Sequence, residues 1–207
     1  QFIKALCTLY KKHFKQGVEG KNLTSIISPA HYQRLLGYLE QAQEQGAKIT
    51  KPLEQNQQDG EKHRMGLHII THVTDEMTLM QEELFGPILP IMSYDKLEDV
   101  LNYIRLRDHP LALYILGQDK QAQQYIIKQT LSGTVAVNDT LIQVAADDVP
   151  FGGVGHSGMG HYHGKEGFLT FSHAKNTLVS GSVNPRIGLL LKQNKLLIKV
   201  LKWLYVK

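Results

Sequence analysis

An α/β fold is what this 207-residue sequence predicts, and three observations carry the prediction. Apolar residues recur at three-and-four spacing in stretches of helical length, short apolar runs of strand length lie between them, and the connections are brief. Strand, helix and strand in alternation is the pattern of parallel crossovers packed in layers. A hydrophobic share of 42% and a charged share of 20% lie in the globular range, enough for a core and, as a first expectation, one domain.

The first helix carries Phe2, Ile3, Leu6, Tyr10 and Phe14 on one stripe, with Cys7 among them, and runs out at Gly17. A second is announced by Ser28 as N-cap and Pro29 at the first helical position, continues through Tyr32, Leu35, Leu36, Leu39 and Ala42, and stops at Gly46. Ala47 to Leu53 and Leu67 to Val73 read as strands joined by the polar stretch Glu54 to Arg64. Ile88 to Met92 is a short apolar run before a helix capped by Asp95, with Glu98 three residues on and Leu97, Val100, Leu101 and Ile104 on one side. Leu111 to Leu116 is strand-like, Asp119 to Leu131 helix-like, and Thr134 to Val137 strand-like after Gly133.

Charge excludes one class of partner. The formal net charge is +4, but Arg186, Lys192, Lys195, Lys199, Lys202 and Lys207 supply six positive charges with no acidic residue among them, so everything before carries −2. A basic tail on a slightly acidic body does not make a nucleic-acid face. No signal peptide is expected at Gln1, and no apolar run is long enough to span a bilayer. One cysteine excludes an internal disulfide and suits a reducing, cytoplasmic setting.

Chemistry concentrates in two segments. From Pro150 to Gly167, seven of eighteen residues are glycine, a density suited to a loop in which backbones come close. Gly153, Gly155 and Gly158 satisfy G-x-G-x-x-G, but Asp147 to Pro150 precede them in place of a strand, and Met159, Gly160 and His161 follow in place of a helix start, so no dinucleotide cradle is predicted there. His156, His161 and His163 share the loop without carboxylate or thiolate at ligand spacing, and no metal is expected.

As a whole the loop resembles the aldehyde dehydrogenase superfamily. Pro150, Phe151, Gly152, Gly153, Ser157, Gly158, Gly160, Gly164, Gly167, Phe168, Phe171 and Ser172 meet the family pattern at fixed offsets, and the His-Tyr-His-Gly segment looks like the class 3 branch, closest to coniferyl aldehyde dehydrogenases. The second segment, Glu83-Leu84-Phe85-Gly86-Pro87, is similar to the family's Glu-x-Phe-Gly-Pro. The resemblance implies that Glu83 accepts the nicotinamide ribose hydroxyls and that Phe85 packs near the nicotinamide. An ionised carboxylate is acceptor-only, and an aromatic face is a flat apolar wall, so both residue types suit those roles. Asn138, in Val137-Asn138-Asp139, and Pro150, Phe151, Gly152 and Gly153 are implied to belong to the active-site loops; where relatives often carry a histidine nearby, this chain has Gln143.

The same resemblance implies part of a three-layer catalytic domain with a parallel sheet at residues 1–176, an extension at 177–207, and a Rossmann domain, general base and oxyanion asparagine lying before Gln1. Aldehyde oxidation needs a thiolate, oxyanion donors, a hydride acceptor and a base. Cys7 is the sole thiol and sits on a helical apolar stripe, so no catalytic residue is assigned within the chain. The expected cofactor is NAD or NADP and the expected substrate an aldehyde converted to a carboxylic acid through a thiohemiacetal and thioester, in a homo-oligomer such as a dimer. The competing expectation is a non-enzymatic module that docks on a subunit or membrane surface. Ile187 to Val206 is predicted to form an amphipathic helix, with Lys192, Lys195, Lys199 and Lys202 on one stripe and Leu189, Leu190, Leu196, Leu197, Val200, Leu201, Trp203 and Leu204 over the rest, able to lie on a membrane surface, a partner subunit or the body itself.

Overall fold

The apolar side of one helix organises the first half of the chain. The computed structural model describes residues 1–54, 58–183, 188, 191 and 195–205, and the chain divides into two compact units, Gln1–Val100 and Leu101–Lys207. In the first unit α1 (Phe2–His13) precedes α2 (Pro29–Glu44). Ser28 caps α2 as predicted, its hydroxyl accepting the His31 N–H at 3.1 Å, with Pro29 where a missing N–H does no harm. The face of α2 carrying Tyr32, Leu35, Leu39 and Ala42 is buried with Met65, Ile70, Met77, Leu79 and Ile88. Full burial of a leucine such as Leu35 contributes about 1.5–3 kcal/mol.

That face lies on a three-stranded sheet of β1 (Lys48–Thr50), β4 (His68–Thr71) and β5 (Ile88–Pro90), in the order β1-β4-β5. A two-residue pairing of β2 (Gln58–Asp59) with β3 (Arg64–Met65) forms a hairpin between β1 and β4. β4 runs antiparallel to β1, with Ile49 opposite Ile70, and parallel to β5, with Ile69 opposite Leu89. His68, Ile69 and Ile70 are all buried, as a central strand covered on both faces requires. α1 contributes Tyr10, buried and stacked on Phe14 at 4.7 Å, whose hydroxyl accepts the Leu67 N–H. Ile3, Leu6 and Cys7 are half-buried on the predicted stripe, whereas Phe2 is exposed.

In the second unit, α3 (Leu97–Arg105), which begins within the first, leads to β6 (Ala112–Ile115), α4 (Lys120–Gln129) and β7 (Thr134–Val137). β6 and β7 pair in parallel across α4 with Ala112 opposite Thr134, the crossover the sequence predicts. Asp119 caps α4 by accepting the N–H groups of Gln121 and Ala122. Arg105 joins the ends of α3 and α4 through the Gln129 carbonyl at 3.0 Å.

The α/β expectation holds, with three differences. β5 and β6 belong to different sheets, and β1 is antiparallel, so the pairing is mixed where a parallel sheet is expected. α3 starts at Leu97, which leaves Lys96 between the helix and the predicted cap Asp95. The glycine-rich segment is not loop throughout, since α5 (Gly164–Thr170) forms after Gly164 takes a positive φ of 53°. Of the predicted tail helix, α6 (Lys195–Tyr205) is described; Ile187, Leu189, Leu190, Lys192 and Val206, and the side chains of Leu197 and Leu201, lie outside the described residues. Among those described, no helix is long and apolar enough to cross a membrane.

His68 is a buried base in the middle of the sheet. Its Nδ1 lies 2.8 Å from the Gly66 carbonyl, and its Nε2 meets no partner among the described residues. Burial first, and the charge of Lys51 less, push its pKa below the ordinary 6.5. The unfolded chain therefore takes up a proton that the folded chain resists, so stability is full above about 6.5 and falls as pH drops toward the depressed folded value. The urea midpoint should accordingly fall between about pH 7.5 and about pH 5.5, and His68→Leu should flatten that dependence. Parallel pH profiles for wild type and variant would refute the assignment.

Candidate functional site

The Glu-Leu-Phe-Gly-Pro segment connects a 3₁₀ turn at Thr78–Met80 to β5, and it is held from one side by a polar row on α2. His31, Arg34 and Tyr38 are three and four residues apart and share one helix face. The Arg34 guanidinium donates to the carbonyls of Glu83 at 3.1 Å and Leu84 at 3.2 Å, to the Glu82 carboxylate at 3.3 Å and to the Tyr38 hydroxyl at 3.0 Å. Tyr38 also reaches the Glu82 carboxylate in a very short hydrogen bond, and its ring lies 5.1 Å under the guanidinium carbon. His31 Nε2 lies 3.0 Å from the Phe85 carbonyl.

This grip is on backbone and on Glu82, so it leaves the next side chains free. The Glu83 carboxylate is exposed and has no partner among the described residues. Leu84 turns inward against the core and the Phe85 ring turns out, 73% exposed, from a backbone at φ 48°. Gly86 packs against the buried Leu35, whose side chain would have to shift to admit a β-carbon there. Beside Phe85 a shallow groove of about 270 Å³ is lined by Leu23 to Ile27, Met65, Gly86 and Pro87.

The second candidate cluster lies wholly in the second unit. Phe151 and Tyr162 exchange two backbone hydrogen bonds, at 3.0 and 2.9 Å, and close the intervening residues into a loop. Their rings meet edge to face at 5.5 Å, with His163 4.2 Å from Tyr162. Inside the loop backbones touch: a β-carbon on Gly152 would collide with the Gly160 carbonyl, and one on Gly153 with the Ser157 carbonyl. Ser157 Oγ both donates to the Val154 carbonyl and accepts its N–H. Pro150 precedes the bridge and is exposed.

Asn138 ends β7 at φ 56°, and its Oδ1 accepts the Gly117 N–H at 2.8 Å. Its side chain therefore ties the ends of β6 and β7 together. Gln143 donates to the Tyr114 hydroxyl at 3.0 Å. His156 pairs with Asp108 at 2.6 Å. Among the described residues no three His, Cys, Asp or Glu side chains converge as a metal site would require. Sequence reasoning selects Glu83 and Phe85 but misses His31, Arg34 and Tyr38, whose spacing marks a polar helix face without saying what it grips.

The first unit presents an exposed carboxylate and an aromatic ring, the second a glycine loop closed by a Phe–Tyr bridge, and residues 1–177, which carry both, match the aldehyde dehydrogenase family: the chain belongs to it. It is 47% identical over 175 residues to a probable coniferyl aldehyde dehydrogenase of Pseudomonas aeruginosa, a match covering 84% of this chain and 36% of that protein. A coniferyl aldehyde dehydrogenase of a Pseudomonas species is 41% identical, covering 80% of this chain and 35% of its own. Among solved structures, the substrate-bound state of Staphylococcus aureus AldH superposes with a TM-score of 0.75 at 35% identity, covering 94% of this chain and 43% of that one. The chain thus spans little more than a third of the length of these two curated relatives.

Gly153 tests how much the second cluster depends on backbone closeness. Gly153→Ala must displace the Ser157 carbonyl and the Gly158 nitrogen, the latter 2.5 Å from the new methyl carbon. A loss of about 1–3 kcal/mol is expected by thermal or urea unfolding, as for overpacking elsewhere; an unchanged midpoint would show that the loop gives way without strain.

Proposed function

We propose that this chain supplies the nicotinamide-ribose contacts and an active-site loop of an NAD(P)-dependent aldehyde dehydrogenase that oxidises an aldehyde to a carboxylic acid. The observation that carries the reading is the arrangement at Glu83 and Phe85, where every hydrogen bond goes to the backbone or to Glu82 and both side chains remain open. That arrangement fits the group the family implies. Two vicinal ribose hydroxyls need an acceptor with spare lone pairs, and an exposed carboxylate without an internal partner provides one. When bound, the nicotinamide ring takes hydride from the substrate carbon. Glu83 orients the ribose, Phe85 offers its ring face as an apolar wall, and Gly152 and Gly153 let the backbone of the loop lie close-packed, with Pro150, Phe151 and Asn138 completing the loop ends. The relatives support a nicotinamide cofactor, one solved structure at 28% identity being a Mycobacterium tuberculosis aldehyde dehydrogenase complexed with NAD⁺.

Residues 1–176 are assigned to the catalytic portion and 177–207 to an extension that serves assembly. The exposed Leu196, Ile198, Val200, Trp203 and Leu204 of α6 favour a docking role, to a twin subunit or a membrane surface. A reducing, cytoplasmic setting suits the single thiol.

Within a full-length protein containing this segment, Glu83→Gln should weaken cofactor binding by about 1.5–3 kcal/mol, the worth of a charge-assisted hydrogen bond, while leaving the unfolding midpoint in place. Calorimetric titration of cofactor with matched thermal melts decides it, and equal affinities would return Glu83 to the status of a surface residue.

The 207-residue chain alone should show no aldehyde oxidation, because its single thiol, Cys7, lies half-buried on the apolar stripe of α1, where a cysteine is an inert small hydrophobe. Nicotinamide reduction that is present in wild type and abolished in Cys7→Ser would reverse that and make Cys7 the nucleophile.

A further inference from the structure

We infer that Arg34 is the positioning residue for the cofactor-facing segment, and that His31 serves it in one tautomer. The inference rests on the reading of Glu83 as the ribose contact. Glu83 and Phe85 sit in a connection with no regular secondary structure, and a carboxylate on a wandering backbone would be a poor anchor. What fixes that backbone is side-chain chemistry from α2. Arg34 has five donors in one plane, and it places them on the Glu82 carboxylate, the Glu83 and Leu84 carbonyls, the Tyr38 hydroxyl and His31 Nδ1, the last at 3.0–3.2 Å. Two consecutive carbonyls pulled toward one cation set the planes of the 83–84 and 84–85 peptides, which fixes the backbone at Leu84 and one side of the backbone at Glu83 and at Phe85.

The tautomer of His31 follows from Arg34. A guanidinium only donates, so Nδ1 must be a bare lone pair, and the ring proton is then on Nε2, where it donates to the Phe85 carbonyl at 3.0 Å. A protonated Nδ1 would oppose Arg34 and loosen the Phe85 end of the segment. Arg34 thus holds three successive carbonyls, two directly and one through His31. Lysine cannot replace it, since a point charge with three donors lacks the planar reach for five acceptors.

The test uses the 207-residue chain, isotope-labelled, with nicotinamide mononucleotide as probe. Backbone order parameters at Glu83, Leu84 and Phe85 should be near 0.85 in wild type and fall below about 0.6 in Arg34→Ala. Arg34→Lys should fail to restore them. Unchanged amide positions for Ile69 and Ile70 in β4 will show that the core survives, as expected for a side chain one-third exposed. Mononucleotide titration should shift the Glu83–Gly86 amides in wild type, with affinity reduced roughly tenfold or more in Arg34→Ala and in Glu83→Gln alike. Wild-type order parameters in Arg34→Ala, full rescue by lysine, or mononucleotide affinity lost in Glu83→Gln but kept in Arg34→Ala would each overturn the role of Arg34 alone. No response of the wild type to the mononucleotide would overturn it together with the ribose reading.

Discussion

The meeting of Arg34 with the Glu82–Phe85 backbone is the interaction on which the candidate site depends. A guanidinium on a capped, core-packed helix is a rigid point of reference, because α2 is fixed by Leu35 and Leu39 on its other side. Local order in the functional segment is thereby borrowed from the core. This division of labour puts the charge cluster where it is still hydrated, so Arg34 avoids the desolvation that makes fully buried ion pairs unprofitable.

β4 plays a parallel role for the sheet. It is buried on both faces, paired on both edges and begins at the residue whose N–H meets the Pro87 carbonyl at 2.8 Å. The segment bearing Glu83 is consequently anchored at both ends, to α2 through Arg34 and to β4 through Pro87. A histidine at such a central position is an acid-sensitive element in an otherwise apolar strand, and its neutral form is the one the fold selects.

Much of this was legible in the residues. The Ser28-Pro29 cap and the Thr134 to Val137 strand are local signals, read within four or five residues of chain, and each appears where expected. Glu83 and Phe85 were legible through the spacing of a motif. The grip upon them was not, because Arg34 and its carbonyl partners are 49 and 50 residues apart and no periodicity spans that gap. The mixed sheet was hidden for a similar reason: strand direction depends on which edges meet, and apolar runs carry no sign for it. The helix at Gly164–Thr170 escaped notice because glycine density masked the Phe168, Phe171 repeat, and those two rings are exposed in any case.

The bridge between Phe151 and Tyr162 has a thermodynamic corollary. Joining the ends of the ten residues it encloses removes about 2 kcal/mol of chain entropy, a sum met at folding by two hydrogen bonds and an aromatic contact. A ligand arriving at this loop finds its disorder already spent. Association there should accordingly show a small conformational-entropy penalty and fast, single-phase kinetics, the behaviour of a preformed surface and not of one that condenses around its guest.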